Sequence, residues 1–196
     1  MSDVITTARF VWPIGDGIVL IPRTLAIADA YHALFLANHV RLAQWSPGPD
    51  EPTLEATRAS AERAGRAWLD GTRLPLAIGV PARNGHRLVG ALTLTIDAPE
   101  ATGEVGFWLD AAAEGRGLIT SALTAVLGHA FGELRLHRVE MRTLTTNDRS
   151  RRLAERLGFT LEGVLREAAA FPDGHRDVAA YALLARDFHN RTTVPA

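Results

Sequence analysis

No cysteine occurs anywhere in this chain of 196 residues. This absence excludes a disulfide framework and a thiolate nucleophile, and it is compatible with the reducing cytoplasm, where we expect the protein to act. An excess of charge of one sign is missing as well, because 21 Lys and Arg residues face 22 Asp and Glu residues. Such a balance does not favour binding driven by phosphate neutralisation, so we expect no nucleic-acid partner.

Long hydrophobic runs are also missing. No stretch reaches the roughly 20 apolar residues that a membrane-spanning helix needs, and residues 1–17 contain no basic stretch followed by an apolar core. We therefore expect a protein that is neither exported nor inserted into a membrane. The seven histidines show no ligand-like spacing, so the sequence predicts no metal site.

The chain is long enough, and at 47% hydrophobic content apolar enough, to build one substantial core. One domain covering residues 1–196, with its core at about residues 18–188, is the expectation that follows. Apolar alternation predicts strands at residues 18–23, 74–80, 88–97, 104–109, 139–143, 159–163 and 177–185. Helical spacing of apolar residues predicts helices at residues 28–42, 53–69, 118–134 and 148–157.

Turn residues separate these elements. The Asn84-Gly85 pair predicts a hairpin, Gly158 predicts the end of a helix, and residues 173–176 predict a second hairpin tip that Asp177 stabilises. Strand, crossover helix, strand, helix, strand is an order typical of an α/β protein with a mixed sheet.

Residues 104–123 form the most informative segment, since an apolar strand runs through a glycine-punctuated turn into an amphipathic helix. Gly115 and Gly117 let the backbone approach an anion closely, and the free N–H groups of the first helical turn point at it. The spacing matches neither the triphosphate-binding loop nor the dinucleotide-binding loop. Taken alone, the segment indicates either a phosphate-binding turn or an ordinary strand-to-helix connection.

This turn resembles the acetyl-coenzyme A (acetyl-CoA) loop of the GNAT acyltransferases, which reads Gln/Arg-x-x-Gly-x-Gly/Ala. Further segments follow the order and spacing of the RimJ/RimL-like branch, which includes acetyltransferases of ribosomal-protein N-termini: residues 20–23, 41–45, 88–92, 136–142, 147–150, 157–166 and 177–178. The resemblance covers about residues 19–188. It implies the GNAT fold, a mixed and largely antiparallel central sheet with a splayed strand pair and helices on both faces.

The resemblance also implies an activity, the transfer of acetyl from acetyl-CoA directly to a primary amine, by a homodimer. The acceptor would be a protein N-terminus or a small-molecule amine. A non-catalytic GNAT-like module that binds coenzyme A (CoA) as a sensor, or that serves as an interaction scaffold, is the alternative. The residues expected to bind the cofactor are Phe107, Trp108, Leu109, Glu114, Gly115, Arg116, Gly117, Leu118, Ile119, Thr120, Asn147, Arg149, Ser150 and Arg152.

Three residues are candidates for proton transfer. Glu104 opens the strand where many GNAT enzymes place a carboxylate base, although a solvated strand-end charge is an equal alternative. Asp97 is a second candidate base, with a turn-forming aspartate as the preferred alternative. Ser150 is the candidate proton donor to the leaving thiolate, because Ala154 stands where many members carry a tyrosine. Ser150 and Asn147 could instead cap a helix.

Other positions depart from the family pattern or stay open. Glu114 replaces the usual Gln or Arg, and we expect its carboxylate to turn to solvent, away from a pyrophosphate. Ala169 stands where ribosomal-protein enzymes can carry a glutamate, so we expect a different acceptor pocket. Trp45 is either a channel wall or a core residue. The cluster Arg149, Arg151 and Arg152 is either a solvated face or a site for the 3′-phosphate of CoA.

Overall fold

A computed structural model describes residues 4–5, 10–47 and 52–192. Nine strands within these ranges form one sheet, in the order β2-β3-β4-β5-β6-β7-β9-β8, with β1 pairing beside β5. The strands are β1 (Val4–Ile5), β2 (Trp12–Pro13), β3 (Val19–Pro22), β4 (Arg73–Ala82), β5 (Gly85–Asp97), β6 (Thr102–Leu109), β7 (Arg138–Leu144), β8 (Thr160–Phe171) and β9 (Gly174–Leu184).

Helices cover both faces of the sheet, as the sequence predicts. They are α1 (Ala28–Ala43), α2 (Leu54–Leu69), α3 (Leu118–Gly132), α4 (Asp148–Leu157) and α5 (Ala185–Thr192). Helix α3 buries a broad apolar stripe in the main core, including Leu123, Val126 and Leu127 at 0% exposure. Helix α1 packs on the opposite face, where Tyr31 and Leu34 contact a smaller apolar cluster. None of the helices in the described ranges is long and apolar enough to cross a membrane.

The pairing of β6 with β7 positions the site. Among the described strands this pair is parallel and the other pairs are antiparallel. Their ladder starts at Thr102 beside Arg138 and stops at Val105 beside Met141, although β6 continues to Leu109 and β7 to Leu144. The two strands therefore separate beyond Val105, which confirms the predicted splayed pair. We call the space between residues 106–109 and 142–144 the gap.

Most predicted elements lie within two residues of the observed ones. Asn84 lies in the β4–β5 turn, Gly158 ends α4 with a φ of +92°, and Phe171 pairs with Gly174 at the second hairpin tip. The Glu167 amide donates to the Asp177 carboxylate at 2.8 Å, which confirms that Asp177 stabilises this hairpin.

The sequence patterns missed β1, β2, α5 and most of β8. Strand β8 reaches Phe171 rather than residue 163, and the pairing skips from Leu165 to Ala169 around a bulge. Exposed residues dominate this strand, so no apolar alternation reveals it. The prediction that residues 1–17 hold no export signal falls partly outside the described ranges, at residues 1–3 and 6–9.

Candidate active site

The turn between β6 and α3 holds two glycines in the left-handed region. The φ angle is +75° at Gly115 and +74° at Gly117, a conformation that residues with side chains rarely adopt. A Cβ atom added to either glycine would meet no atom within 4 Å. The backbone of the turn is therefore open to a ligand on the side where a Cβ would project.

Backbone donors converge on that space. The N–H groups of residues 115–120 have no acceptor among the described residues, and the first bonded amide, that of Ser121, donates to the Gly117 carbonyl at 3.0 Å. Free amides at a helix start are ordinary, and the dipole of the 15-residue helix α3 adds positive potential there. A pyrophosphate fits this arrangement of donors. Leu118 is buried, so it can contribute its amide but not its side chain.

Glu114 does not turn to solvent, and that expectation is wrong. Its carboxylate accepts a hydrogen bond from Arg41 at 2.9 Å and a second from Arg149, and its side chain is 31% exposed. Two guanidinium partners compensate the carboxylate for lost hydration. Glu114 thereby connects α1 and α4 to the β6–α3 turn, a connection that no pattern in the sequence reveals.

Three arginines of α4 lie on the helix face turned toward this site. Arg149 binds Glu114, and Arg156 donates to the Thr120 hydroxyl at 3.5 Å. Arg152 lies between them on the same face, because residues three, four and seven apart are neighbours on a helix, and it is exposed. The sequence analysis missed Arg156, although its spacing of four residues from Arg152 is the signal that could have found it.

Arg151 does not belong to this cluster. Its guanidinium donates to the Tyr181 hydroxyl at 3.2 Å and to the Thr145 carbonyl at 3.1 Å, on the other side of α4. The hydrogen bond to Tyr181 raises the pKa of Arg151. Arg151 is therefore separate from Arg149 and Arg152, the two arginines of this cluster that are expected to bind the cofactor. Arg116 is exposed on the turn and makes no ion pair with any residue in the described ranges.

The end of β6 borders the gap with its backbone rather than its side chains. Phe107 and Leu109 pack against the main core. Trp108 points to the opposite face of the sheet. There the centre of its ring lies 6.0 Å from the ring centre of Tyr31 and 6.1 Å from that of Phe35. Because β7 is no longer paired here, the backbone groups of residues 106–109 that point toward β7 lack a strand partner. They can bind an extended ligand as an added strand would.

The start of α4 lies just beyond the end of β7. The Asn147 side chain accepts from the Ser150 amide at 3.2 Å, so Asn147 caps the helix. Its side-chain NH₂ group stays available to a ligand. Ser150 does not cap, and its hydroxyl has no hydrogen-bond partner among the described residues. Ala154 is fully buried, so no donor reaches the site from that position.

The two carboxylates proposed as bases lie at different distances from the gap, measured along the strands. Glu104 is exposed, pairs with Thr95 of β5, and directly precedes the last residue of the parallel ladder. Asp97 pairs with Thr102 and accepts from the Glu100 amide at 3.3 Å. At about 3.3 Å per residue, Asp97 lies roughly 10 Å before the gap opens. The structure supports Asp97 as a turn-forming residue and leaves Glu104 as the candidate base.

A cavity of about 200 Å³ lies on the β7 side of the gap. Trp45 lines it, which supports the interpretation of Trp45 as a channel wall, and Ala169 lines it opposite. The bulge that Asp177 holds carries Ala168 into the same wall. Ala168 and Ala169 are small, so they leave space in this cavity that a glutamate side chain would fill.

A charged network lies beside this cavity and was missed from the sequence. Arg138 bridges Glu140 at 3.1 Å and Glu162 at 2.5 Å, and Arg142 donates to Glu140 at 3.1 Å. The hydrogen bond to Arg138 lowers the pKa of Glu162, and that of Arg138 is raised in turn. Within the described ranges, no group of three or more His, Asp or Glu side chains is placed to hold a metal ion.

Buried polar contacts join α1 to the same turn. Asn38, 3% exposed, donates to the Asp110 carboxylate at 3.2 Å and accepts from the Ala111 amide at 3.4 Å. Arg41 donates to the Leu109 carbonyl. The sequence did not predict these contacts of Asn38 and Arg41, because only the fold brings α1 against the end of β6.

The comparisons with known proteins agree with this geometry. Residues 18–160 match the family described as the acetyltransferase (GNAT) domain. Over 166 residues the chain is 30% identical to YdaF of Bacillus subtilis, a proposed ribosomal N-acetyltransferase, covering 82% of this chain and 87% of YdaF. Over 96 residues it is 35% identical to the ribosomal-protein-serine acetyltransferase of Escherichia coli, a match that covers 48% of this chain and 54% of that protein.

A solved structure shows the same architecture. RimJ of Mycobacterium smegmatis, in complex with CoA-disulfide, superposes with a TM-score of 0.77 at 25% identity, covering 86% of this chain and 82% of RimJ. GNAT acetyltransferases use acetyl-CoA, for which the free amides of the β6–α3 turn and the adjoining gap are suited. The chain belongs to the GNAT family of N-acetyltransferases, in the neighbourhood of the RimJ/RimL-like ribosomal-protein enzymes.

Proposed function

We propose that the chain transfers acetyl from acetyl-CoA directly to a primary amine. The observation that carries this proposal is the gap between β6 and β7, which opens directly beside a turn whose six amides are free. Acetyl-CoA supplies an activated acetyl thioester. A phosphate site at one end and an open strand edge at the other match the two ends of such an elongated ligand.

The residues around the turn would hold the phosphates. The amides of residues 115–120 face the pyrophosphate, and Arg152 and Arg156 approach from α4. Arg116 is exposed on the turn itself. Asn147 keeps its NH₂ group for a further contact while its oxygen caps α4. In this proposal Arg149 contributes less, because Glu114 already neutralises it.

The end of β6 would orient the reacting group. Amides among residues 106–109 that point into the gap can donate to the thioester oxygen as negative charge develops on it. The Leu109 carbonyl already accepts from Arg41, but its N–H group, like those of the residues before it, can still donate. Holding both reactants in one gap is itself a large part of the rate enhancement.

Proton transfer would involve one carboxylate and one hydroxyl. Glu104 accepts a proton from the acceptor amine, directly or through water, so that the nitrogen can attack the carbonyl carbon. The C–N bond forms and the C–S bond breaks. The departing sulfur takes a proton from the Ser150 hydroxyl, which regains one, directly or through water, from the nitrogen that becomes the amide. Ser150 suits this role because no described residue occupies its hydroxyl.

The acceptor would be a protein N-terminus or a small-molecule amine. The names of the relatives favour a ribosomal-protein N-terminus for those proteins. In this chain, Trp45, Ala168 and Ala169 line the cavity beside the gap, and neither acceptor class is excluded by these side chains. We therefore keep both acceptor classes in the proposal.

We further propose a homodimer in the cytoplasm. Strand β8 lies at the end of the sheet with its outer edge unpaired in the described residues. Leu161, Val164 and Leu165 are 43%, 49% and 43% exposed there. An exposed apolar edge of this kind favours pairing with a second copy.

A screen of thiol release tests the activity. Acetyl-CoA and the full chain are mixed with a panel of N-terminal peptides and small amines, and free CoA is measured against a reaction lacking the amine. The proposal requires amine-dependent thiol release with at least one acceptor, together with an acetylated product by mass spectrometry. Calorimetric binding of CoA without thiol release from any acceptor would contradict it and support a non-catalytic CoA-binding module.

A further inference from the structure

Arg23 extends across the sheet face that carries α1. It follows β3, and its guanidinium donates to the Tyr31 hydroxyl at 3.0 Å and to the Thr93 hydroxyl at 2.6 Å. The same group lies over the Tyr31 ring, 5.2 Å from the ring centre. Two neutral oxygens and an aromatic ring therefore hold the cation in one orientation.

No described carboxylate lies within ion-pair distance of Arg23. Its Nε atom is buried and has no hydrogen-bond partner. The Nε atom of Arg41 is buried and unpaired as well. Arg41 and Arg138 differ from Arg23 in that each binds a glutamate. A partly desolvated cation without an anion is unfavourable. We therefore expect a bound molecule to supply the anionic group that pairs with Arg23.

The position of Arg23 indicates which ligand would supply that partner. Thr93, which Arg23 contacts, pairs with Gly106 of β6, the first residue beyond the parallel ladder. A Cβ atom on Gly106 would meet nothing within 4 Å, so the space on the side of the sheet to which that Cβ would project is open. Adjacent strands lie about 4.8 Å apart. The guanidinium thus lies close to the mouth of the gap, on the face opposite α3.

Glu104 lies on the same face, and the two side chains carry opposite charges. Glu104 pairs with Thr95, two residues along β5 from Thr93, which corresponds to roughly 7 Å along the strand. An acceptor whose amine approaches Glu104 and whose carboxylate reaches Arg23 would match both ends of this surface.

We infer that Arg23 binds a carboxylate of the acceptor, so that the acceptor is an amine that also carries an acidic group. This inference rests on the proposed transfer to an amine. Arginine suits the role because its planar fork can bind a carboxylate with two parallel hydrogen bonds. Tyr31 and Thr93 restrict the guanidinium in advance and so reduce the entropy lost on binding.

The test uses acceptors of matched chain length in which an amide replaces the carboxylate. Because this replacement also lowers the pKa of the amino group, kcat/KM is expressed per concentration of neutral amine. Glycine, β-alanine, γ-aminobutyrate and δ-aminovalerate are each compared with their primary amides, because the graded chain length samples the span between amine and anion. The ratio of kcat/KM for acid over amide is measured, and dissociation constants are measured by calorimetry on the protein saturated with CoA. The variants are Arg23→Gln, Arg23→Lys and, as a matched control, Arg83→Gln on the exposed β4–β5 turn.

The wild-type chain should prefer the acid over its amide by about tenfold to a hundredfold for at least one chain length, the range expected for a hydrogen bond between charged groups. Arg23→Gln should bring that ratio to about one while leaving the amide values unchanged. Arg23→Lys should restore part of the preference, and Arg83→Gln should keep all of it.

Two results would overturn the assignment. One is a wild-type protein that shows no preference for the acid in either turnover or binding. The other is an Arg23→Gln variant that weakens acid and amide equally, which would show a purely structural role. Failure of the proposed function is a separate result, namely no thiol release with any amine of the wider panel, and the calorimetric comparison still decides the role of Arg23 in that case.

Discussion

Gly117 starts α3 in a conformation that only a few residue types tolerate, at a site where a negative side chain would oppose a pyrophosphate. Asn and Asp both tolerate the left-handed region and have nearly the same shape. Gly117→Asp should therefore weaken CoA binding by at least tenfold relative to Gly117→Asn, since the two variants share the backbone strain and differ in charge. Calorimetry with CoA measures the difference. Equal affinities of the two variants would mean that the phosphates lie elsewhere.

Glu104 and Ser150 are the residues whose loss should affect chemistry rather than binding. A positioned acid or base contributes on the order of 10²- to 10⁴-fold, so Glu104→Gln and Ser150→Ala should each lower kcat substantially on an identified acceptor. Affinity for acetyl-CoA should stay nearly unchanged, because neither side chain is assigned to the phosphates. Near wild-type kcat in both variants would leave proximity as the source of catalysis.

At the scale of elements, α1 and the β6–α3 turn are joined by buried hydrogen bonds. Asn38→Ala would leave the Asp110 carboxylate and the Ala111 amide without their Asn38 partner. Loss of such a buried partner costs about 1–3 kcal/mol. The free energy of unfolding in urea should fall by that amount, and CoA affinity should fall with it. Val40→Ala, at a position on α1 that is 76% exposed, is the control and should change neither quantity.

Strands β7 and β8 are joined by the ion pair of Arg138 with Glu162. Because Arg138 lowers the pKa of Glu162 in the folded chain, the pair stabilises the fold above the unfolded pKa of about 4.3. That contribution is lost as the pH falls through the lowered folded value. The Glu162 side chain is 46% exposed, so Glu162→Gln should cost less than about 1 kcal/mol at pH 7.

Unfolding midpoints of wild type and Glu162→Gln should converge as the pH falls below about 4. Glu62→Gln on the exposed surface of α2 is the control and should follow wild type at every pH. A difference that persists unchanged to pH 3 would show that Glu162 contributes through packing rather than through its charge.

At the scale of the whole molecule, the unpaired outer edge of β8 is the surface best suited to hold a second copy. A dimeric mass by sedimentation at micromolar concentration is the expected result. Val164→Lys should shift the mass toward the monomer, because lysines on an edge strand oppose pairing. Leu69→Lys, at another apolar residue that is 85% exposed, should leave the dimer intact. A monomeric wild-type chain would contradict the proposal.

The sequence predicted the glycine turn between β6 and α3 because its conformation is set locally. Two glycines, a preceding apolar strand and a following helix lie within 20 residues, and their conformations follow from short-range sterics. The helix α3 and the end of α4 at Gly158 were predictable for the same reason. By contrast, β8 was cut short, since its exposed residues follow no alternation and its bulge depends on a contact between Glu167 and Asp177.

The amino-acid sequence by itself determined the α/β class, the order of most elements, the glycine turn before α3 and, through resemblance, the family. Tertiary structure decided the partners of the charged side chains. Glu114 binds Arg41 and Arg149 across 73 and 35 residues of chain, and Arg23 reaches Thr93 across 70 residues without meeting a carboxylate. The physical reason is that local sterics act over a few residues, whereas ion pairing and desolvation depend on which distant segments the fold brings together.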